Sequence, residues 1–465
     1  MAEKDAATGL VYKRSFPLRR GVGTIAFRPT AAIHELGEDF YDPVLPAHFP
    51  KLTLRYADQH SADAIGLSDV DWTARFGRFE PFEGSLPEPL ALRYHGHQFR
   101  HYNPEIGDGR GFLYGQCRDA NGRLLDFGTK GSGQTPFSRR GDGRLTLLGG
   151  VREVLASRYL EHLGVNTSRS FCLIETGEEL QRHDEPSPTR SAVLTRLNHS
   201  HLRFGTFQRQ AFFERTDNLE ALVDYCRRHF YPEVTRPADL LRAVAIRSAD
   251  AVASWMAAGF VHGVMNTDNM NVTGEVFDFG PYRFLPYYDP AFTAAYFDHG
   301  GLYAFARQPE AMGWNLGQLA QCLSLIEADQ PLIAALESYV EQYEAALVRH
   351  MFRRLRLAIP ARGGAAFVKL TFETLRESRA NWPDFFHDWA GGPSSAPLQD
   401  YPDVQWREWK RAYADCEPEG PRPETDRPAT LLYDEIGALW APIVDNDDWS
   451  TFRDTLEGFD RRLYG

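Results

Sequence analysis

Apolar and polar positions change their period along this chain, and the change marks out its elements. Two short runs, residues 111–117 and 123–130, flank the turn-forming stretch Asp119, Ala120, Asn121, Gly122. Together they predict a β-hairpin. Residues 151–163 then predict a helix stopped by Gly164. Residues 240–258 carry apolar side chains at 241, 244, 245, 252, 255 and 256, just ahead of Gly259, and predict a second helix. Further helical patterning runs from residue 316 to about 355. Residues 1 to about 90 are Pro-rich and aromatic with few periodic stretches. They predict an ordered extension packed on the rest. The polar, Pro-rich stretches 181–190 and 416–427 predict loops. A strand- and glycine-rich first part followed by a mainly helical second part predicts an α+β enzyme of two lobes with a cleft between them.

Composition narrows the function classes. The 465 residues include 51 Lys plus Arg against 63 Asp plus Glu, a formal net charge of −12. At 43% hydrophobic and 25% charged, the chain is expected to be globular rather than disordered or rod-like. The acidic balance argues against nucleic acid or an anionic membrane as main partner. No apolar run approaches the ~20 residues that span a bilayer, and the N-terminal residues lack the apolar core of a signal peptide. A cytoplasmic protein is expected. Its five cysteines are scattered and form no CxxC pair, the pattern of reduced thiols.

Candidate chemistry concentrates in HGVMNTDNMNVTGEVFDFG, residues 262–280. With Thr273 and Gly274 as a two-residue turn, a short hairpin would pair Val272 with Glu275, Asn271 with Val276, Met270 with Phe277 and Asn269 with Asp278. Opposed residues have Cβ atoms ~4.5–5.5 Å apart, so the Asn269 amide and the Asp278 carboxylate would face one point. That pair suits Mg²⁺ at a nucleotide, with positions left for phosphate oxygens and water. Asp268 would stay free to act as a base. Turn capping is the plainer role for such residues. The tripeptide DFG at 278–280, ten residues after an Asp-Asn pair, favours the metal site, because kinases hold their metal ions this way.

A kinase-like ATP site also needs a lysine paired with a helix glutamate. Lys130 ends the second predicted strand and Glu153 lies early in the following helix. By helical phase Glu153 points away from the stripe of Val151, Leu155 and Tyr159, which reads as a surface position. Gly107, Gly109 and Arg110 form one tight polar loop. Asp142 and Gly143 lie in another, among Arg139, Arg140 and Arg144. Such loops let backbone N–H groups and arginine grip phosphate, although solvated loops look the same. Arg196 and Arg203, seven apart, read as paired phosphate contacts.

These segments resemble the selenoprotein O (YdiU) family of protein adenylyltransferases, which has a protein-kinase-like fold. The resemblance rests on YHGHQF (94–99), IGDGR (106–110), GTKGSGQTPFSRRGDGR (128–144), VRE (151–153), LTRLNHSHLRFGTF (194–207), HGVMNTDNM (262–270) and DFGPYRFL (278–285). It implies ATP bound in reverse, with AMP rather than the γ-phosphoryl group transferred to Ser, Thr or Tyr hydroxyls of proteins. It implies Asp268 as proton acceptor and Asn269 and Asp278 as ligands of Mg²⁺, or of Mn²⁺. Lys130 and Glu153 then match the phosphate-binding pair. Gly107, Gly109, Arg110, Asp142, Gly143, Arg196, Arg203 and Asp278 match nucleotide contacts. On this basis the expected units are an N-terminal extension to residue 90, an N-lobe over 91–210, a C-lobe over 211–350 and a helical region over 351–465. Two features depart from the family. Arg144 is followed by LTLLGG, which leaves the helix start open. The chain ends FDRRLYG with Cys416 as its last cysteine, so redox control through a C-terminal residue is not expected. The same residues would also serve a kinase that moves the γ-phosphate to a protein or small molecule.

Overall fold

The computed structural model describes residues 26–183 and 185–460. The strands are β1 (Pro29–Thr30), β2 (Tyr41–Pro43), β3 (Thr53–Ala57), β4 (Leu90–Leu92), β5 (Gly96–Gln98), β6 (His101–Asn103), β7 (Leu113–Arg118), β8 (Leu124–Lys130), β9 (Leu145–Thr146), β10 (Arg169–Leu180), β11 (Thr189–Asn198), β12 (Phe260–Val261) and β13 (Arg283–Phe284). The helices are α1 (Gln59–Ala64), α2 (Trp72–Phe76), α3 (Leu147–His162), α4 (Phe204–Phe212), α5 (Thr216–His229), α6 (Pro237–Ala258), α7 (Gln308–Leu323), α8 (Asp329–Leu355), α9 (Gly364–Ser378), α10 (Trp382–Trp389), α11 (Asp403–Ala414), α12 (Tyr433–Asn446) and α13 (Ser450–Asp460). This is a mixed α+β architecture.

The main sheet runs β2-β4-β7-β8-β11-β10-β3, with β1 added on β7 and β9 on β11. Its ladders are antiparallel. The expected hairpin over 111–130 is β7 and β8. Its turn is held by the Asp119 carboxylate, which accepts the N–H groups of Asn121 and Arg123. The stretch 181–190 forms the connection from β10 to β11 and the start of β11, with Asp184 outside the described residues.

β8 is buried along its whole length because both faces of the sheet are covered. On one side Leu125 and Phe127 meet an aromatic layer that includes Phe76, Phe79, Phe82 and Phe171. The Phe76 ring centroid lies 5.6 Å from that of Phe127 and 5.2 Å from that of Phe171. Burying one such ring contributes ~1.5–3 kcal/mol. On the other side α3 packs across β10 and β11.

α3 starts four residues before the expected position. Thr146 caps it, its hydroxyl accepting the Gly149 N–H at 3.1 Å. A cap of this kind is worth ~1 kcal/mol and partly offsets the low helix propensity of Gly149 and Gly150. At the other end of the chain α13 returns to α3. The Phe459 ring lies tilted 5.0 Å from that of Tyr159, and Asp460 pairs with Arg158. The end of FDRRLYG, residues 461–465, lies outside the described residues.

The helical pattern over 316–355 belongs to two helices, α7 and α8, and α6 packs against both. α6 has Pro237 in its first turn and ends at Gly259, whose φ of 69° is left-handed. A Cβ built on Gly259 would lie 2.6 Å from Trp382 Nε1. Gly259→Ala therefore meets both a strained backbone and a fixed indole. We expect a loss of ~1–3 kcal/mol in stability, read as a lower denaturant midpoint at unchanged slope. Among the described residues, no helix is long and apolar enough to cross a membrane. All five cysteines are free thiols.

Candidate active site

The ends of β8 and β11, the start of α4 and residues 262–280 converge on one carboxylate. Asp278 sits at φ 58°, a conformation that costs a non-glycine residue of order 1 kcal/mol or more. Three cations hold it there. Arg196 Nη1 donates to Oδ1 at 2.7 Å, Arg203 Nη1 donates to Oδ2 at 2.7 Å, and Lys130 Nζ lies 3.5 Å from Oδ1. Burial pushes the Asp278 carboxyl up, but Arg196, Arg203 and Lys130 together hold it well below the ordinary carboxylate range.

Lys130 is itself buried and pairs with Glu153. Burial draws its ammonium below the usual lysine value, opposed by Glu153 and Asp278. The surface reading of Glu153 is thus corrected. α3 is buried without a break from Glu153 to Tyr159 and on to Leu160, so it has no single apolar face from which to count phase. One oxygen of Glu153, Oε2, is buried without a hydrogen-bond partner.

Arg203 does more than the spacing foretold. Its guanidinium lies between the rings of Tyr94 and Phe277, 4.6 and 4.5 Å from their centroids. Its Nη1 also donates to the main-chain oxygen of Asp268 at 2.6 Å. One nitrogen therefore ties the loop of Asp268 to the carboxylate of Asp278. Arg196 and Arg203, read from the sequence as phosphate contacts, both donate to Asp278, and the Nε atoms of both are buried without a partner among the described residues.

The predicted hairpin over 262–280 does not form. Asn271 bridges to Arg203, and Val276 bridges to Thr167. The Val272 N–H goes to Leu202 O, and the Val276 N–H goes to Asn166 O. Backbone partners from the segments ahead of β10 and after β11 outcompete the self-pairing. Asp268 and Asn269 instead lie in the single turn Thr267–Asn269. Asn269 Nδ2 donates to Val264 O at 3.0 Å. Asn271 takes the capping role, its Oδ1 accepting the Thr273 N–H and hydroxyl.

Asp268 differs from Asp278 in kind. Among the described residues its side chain touches no cation. Burial raises its carboxyl to about 6, moderated by Arg203 at longer range. Among the described residues Oδ1 is buried without a hydrogen-bond partner, while Oδ2 meets Gln98 Nε2 at 3.4 Å.

The first GDGR loop folds against the segment 131–138 that leads into the second. Gly107 lies on the ring of Phe137, Ser138 Oγ donates to Gly109 O at 2.6 Å, and Gly131 N–H donates to Arg110 O at 2.6 Å. The Arg110 side chain is exposed and bears electrostatically on Lys130. Gly143 packs on the Gly133 backbone. The Asp142 carboxylate is taken by Arg182 at 2.8 Å and lines a separate depression with His48, Gln134, Arg144 and Glu178. The residue between the first glycines, Asp108, was missed. Its Oδ2 accepts the Leu92 N–H at 3.1 Å, its Oδ1 lies 3.6 Å from Arg203, and burial raises its carboxyl. An acid flanked by two glycines was the available signal.

Among the described residues no three His, Cys, Asp or Glu side chains converge on a metal-sized point. The donors this segment could offer a divalent cation are the Asp278 carboxylate and the Asn269 amide oxygen, which no hairpin opposes to one another; water and phosphate would complete the shell. Hard oxygen donors of this kind fit Mg²⁺.

A family model described as "Protein adenylyltransferase SelO" matches residues 24–459. A protein nucleotidyltransferase YdiU from Synechocystis sp. is 42% identical over 463 residues, covering 92% of this chain and 96% of the relative. Its counterpart from Gloeobacter violaceus is 45% identical over 457 residues, covering 91% and 93%. One from Pseudomonas putida is 36% identical, covering 78% and 76%.

Proposed function

The chain belongs to the SelO family of protein adenylyltransferases, and from that membership we propose that it moves AMP from ATP to Ser, Thr or Tyr hydroxyls of proteins. We read the sheet-bearing part to about residue 210 and the helical part to about 350 as the lobes of a kinase-like fold, with 1–90 and 351–465 as extensions. The observation that carries the reading is the convergence of Lys130, Arg196 and Arg203 on Asp278, one arginine nitrogen away from the loop of Asp268.

The chemistry follows from charge. Both the transferred group and the leaving pyrophosphate are strongly anionic, so positioning and charge stabilisation dominate. Lys130, held by Glu153, and Arg110, Arg196 and Arg203 face the phosphates. Gly107, Gly109 and Gly143 let the loops of Arg110 and Asp142 pack closely beside the phosphates, with Asp142 acting on the second loop through Arg182 rather than on the Asp278 cluster. Asn269 and Asp278 would hold Mg²⁺ or Mn²⁺, which when bound supplies further charge neutralisation at the triphosphate. Asp268 accepts the proton of the acceptor hydroxyl. The hydroxyl oxygen bonds to the α-phosphorus, and the bond from that phosphorus to the pyrophosphate oxygen breaks. A carboxyl raised by burial is a better proton acceptor than an ordinary aspartate.

ATP labelled separately on the α- and γ-phosphates tests the reading. Label is expected on protein from the α position only, with an equal yield of pyrophosphate. Retention of γ-label would make the enzyme a kinase instead.

A further inference from the structure

We infer that Gln98, oriented by Asn103, is the positioning residue of Asp268; the inference rests on the base assigned to Asp268 above. The argument begins at a backbone N–H, which can only donate. The Glu105 N–H meets Asn103 Oδ1 at 2.9 Å. The Asn103 amide is thereby fixed, and its Nδ2 faces Gln98 Oε1 at 3.0 Å. The Gln98 amide is fixed in turn, and its Nε2 faces Asp268 Oδ2 at 3.4 Å. Three links thus carry an orientation from the backbone to the carboxylate with no free choice of amide flip.

β5 and β6 form a two-stranded sheet apart from the main one. It is latched onto the loop that bears Asp268. The His97 N–H donates to Thr267 Oγ1 at 2.7 Å, and the Phe99 N–H donates to Asn266 Oδ1 at 3.0 Å. The turn between the strands, Phe99 and Arg100, has φ of 49° and 64° at two residues that resist such values. Phe99 packs 5.0 Å from Tyr303, and Arg100 lies over Trp314 at 5.4 Å, which holds the turn in place. Gly96 forms the wall of the carboxylate. A Cβ built there would lie 2.8 Å from Asp268 Oδ1. Oδ1 is thus buried, unpartnered and walled by Gly96, and Oδ2 is the oxygen that Gln98 directs.

A misplacement of the base by about 1 Å costs on the order of 100-fold in rate. The test uses the full chain with α-labelled ATP, with its own hydroxyls and casein as acceptors, and follows pyrophosphate release. Gln98→Ala is expected to lower kcat about 10- to 100-fold while KM for ATP stays within about twofold. Asn103→Asp keeps the shape but forces the Gln98 amide to turn its oxygen to Asp268, and a comparable loss of kcat is expected. In crystals of either variant the Asp268 carboxylate should leave its present rotamer. A kcat within threefold of the parent for Gln98→Ala, with Asp268→Asn inactive, would overturn the positioning role alone. Activity retained by Asp268→Asn would overturn the base itself. A rise in KM for ATP that matches the fall in kcat/KM would mean that Gln98 only shapes the nucleotide site.

Discussion

Asp268→Asn is expected to reduce transfer about 10²- to 10⁴-fold, the range lost with a general base, while ATP binding stays within about threefold. The asymmetry comes from what Asp268 touches. Among the described residues its carboxylate contacts no cation, and Arg203 holds it only through the main-chain oxygen, which the variant keeps. The same variant should be more stable than the parent. Burial raises the folded carboxyl to about 6, above the ~3.9 of an unfolded aspartate, so ionisation opposes folding. The penalty is absent below ~3.9, where the group is protonated in both states. It grows as pH rises toward 6 and is complete above that. Asp268→Asn should therefore gain about 1–3 kcal/mol at pH 8 and converge on the parent near pH 4. Paired denaturation curves at the two pH values check the sign. An equal stability difference at both would mean that the carboxyl is not raised by burial.

Asp278→Asn should do the reverse. It removes the charge that Arg196, Arg203 and Lys130 share, and leaves two buried guanidinium groups under-compensated. Breaking a buried ion pair from one side costs about 3–5 kcal/mol. A loss of that size is expected in the ligand-free protein, with loss of Mg²⁺-dependent ATP binding. Because the cations hold this carboxyl well below its ordinary value, its stabilising contribution is complete above ~3.9. It fades only as pH falls through the depressed folded value. The parent-minus-variant difference should therefore be flat from about pH 5 to 8. Two aspartates ten residues apart are thus expected to shift stability in opposite directions. A destabilised Asp268→Asn together with a tolerated Asp278→Asn would show the charges to be arranged otherwise.

Local signals in the chain identified the elements that depend on local physics. Asp119 and Gly122 make the β7–β8 turn by bonds within a few residues. Gly259 ends α6 because glycine takes the left-handed cap conformation without a Cβ penalty. Likewise Lys130 at a strand end and the Asp-Asn pair at 268–269 could be singled out from residue type and spacing.

Other features arise only where distant segments meet. Glu153 faces inward because α3 is covered on more than one side, and helical phase assigns a burial direction only when one face is buried. Residues 262–280 forgo their own hairpin because Leu202, Arg203, Asn166 and Thr167 already offer the backbone partners. The roles of Asp108, Arg203 and Gln98 are contacts across long sequence separations, made strong by exclusion of water. Residue order selected the acids, amides and cations. Burial and long-range pairing decided which acid stays charged among cations and which is raised by burial, because the free energy of a charge is set by its surroundings in space.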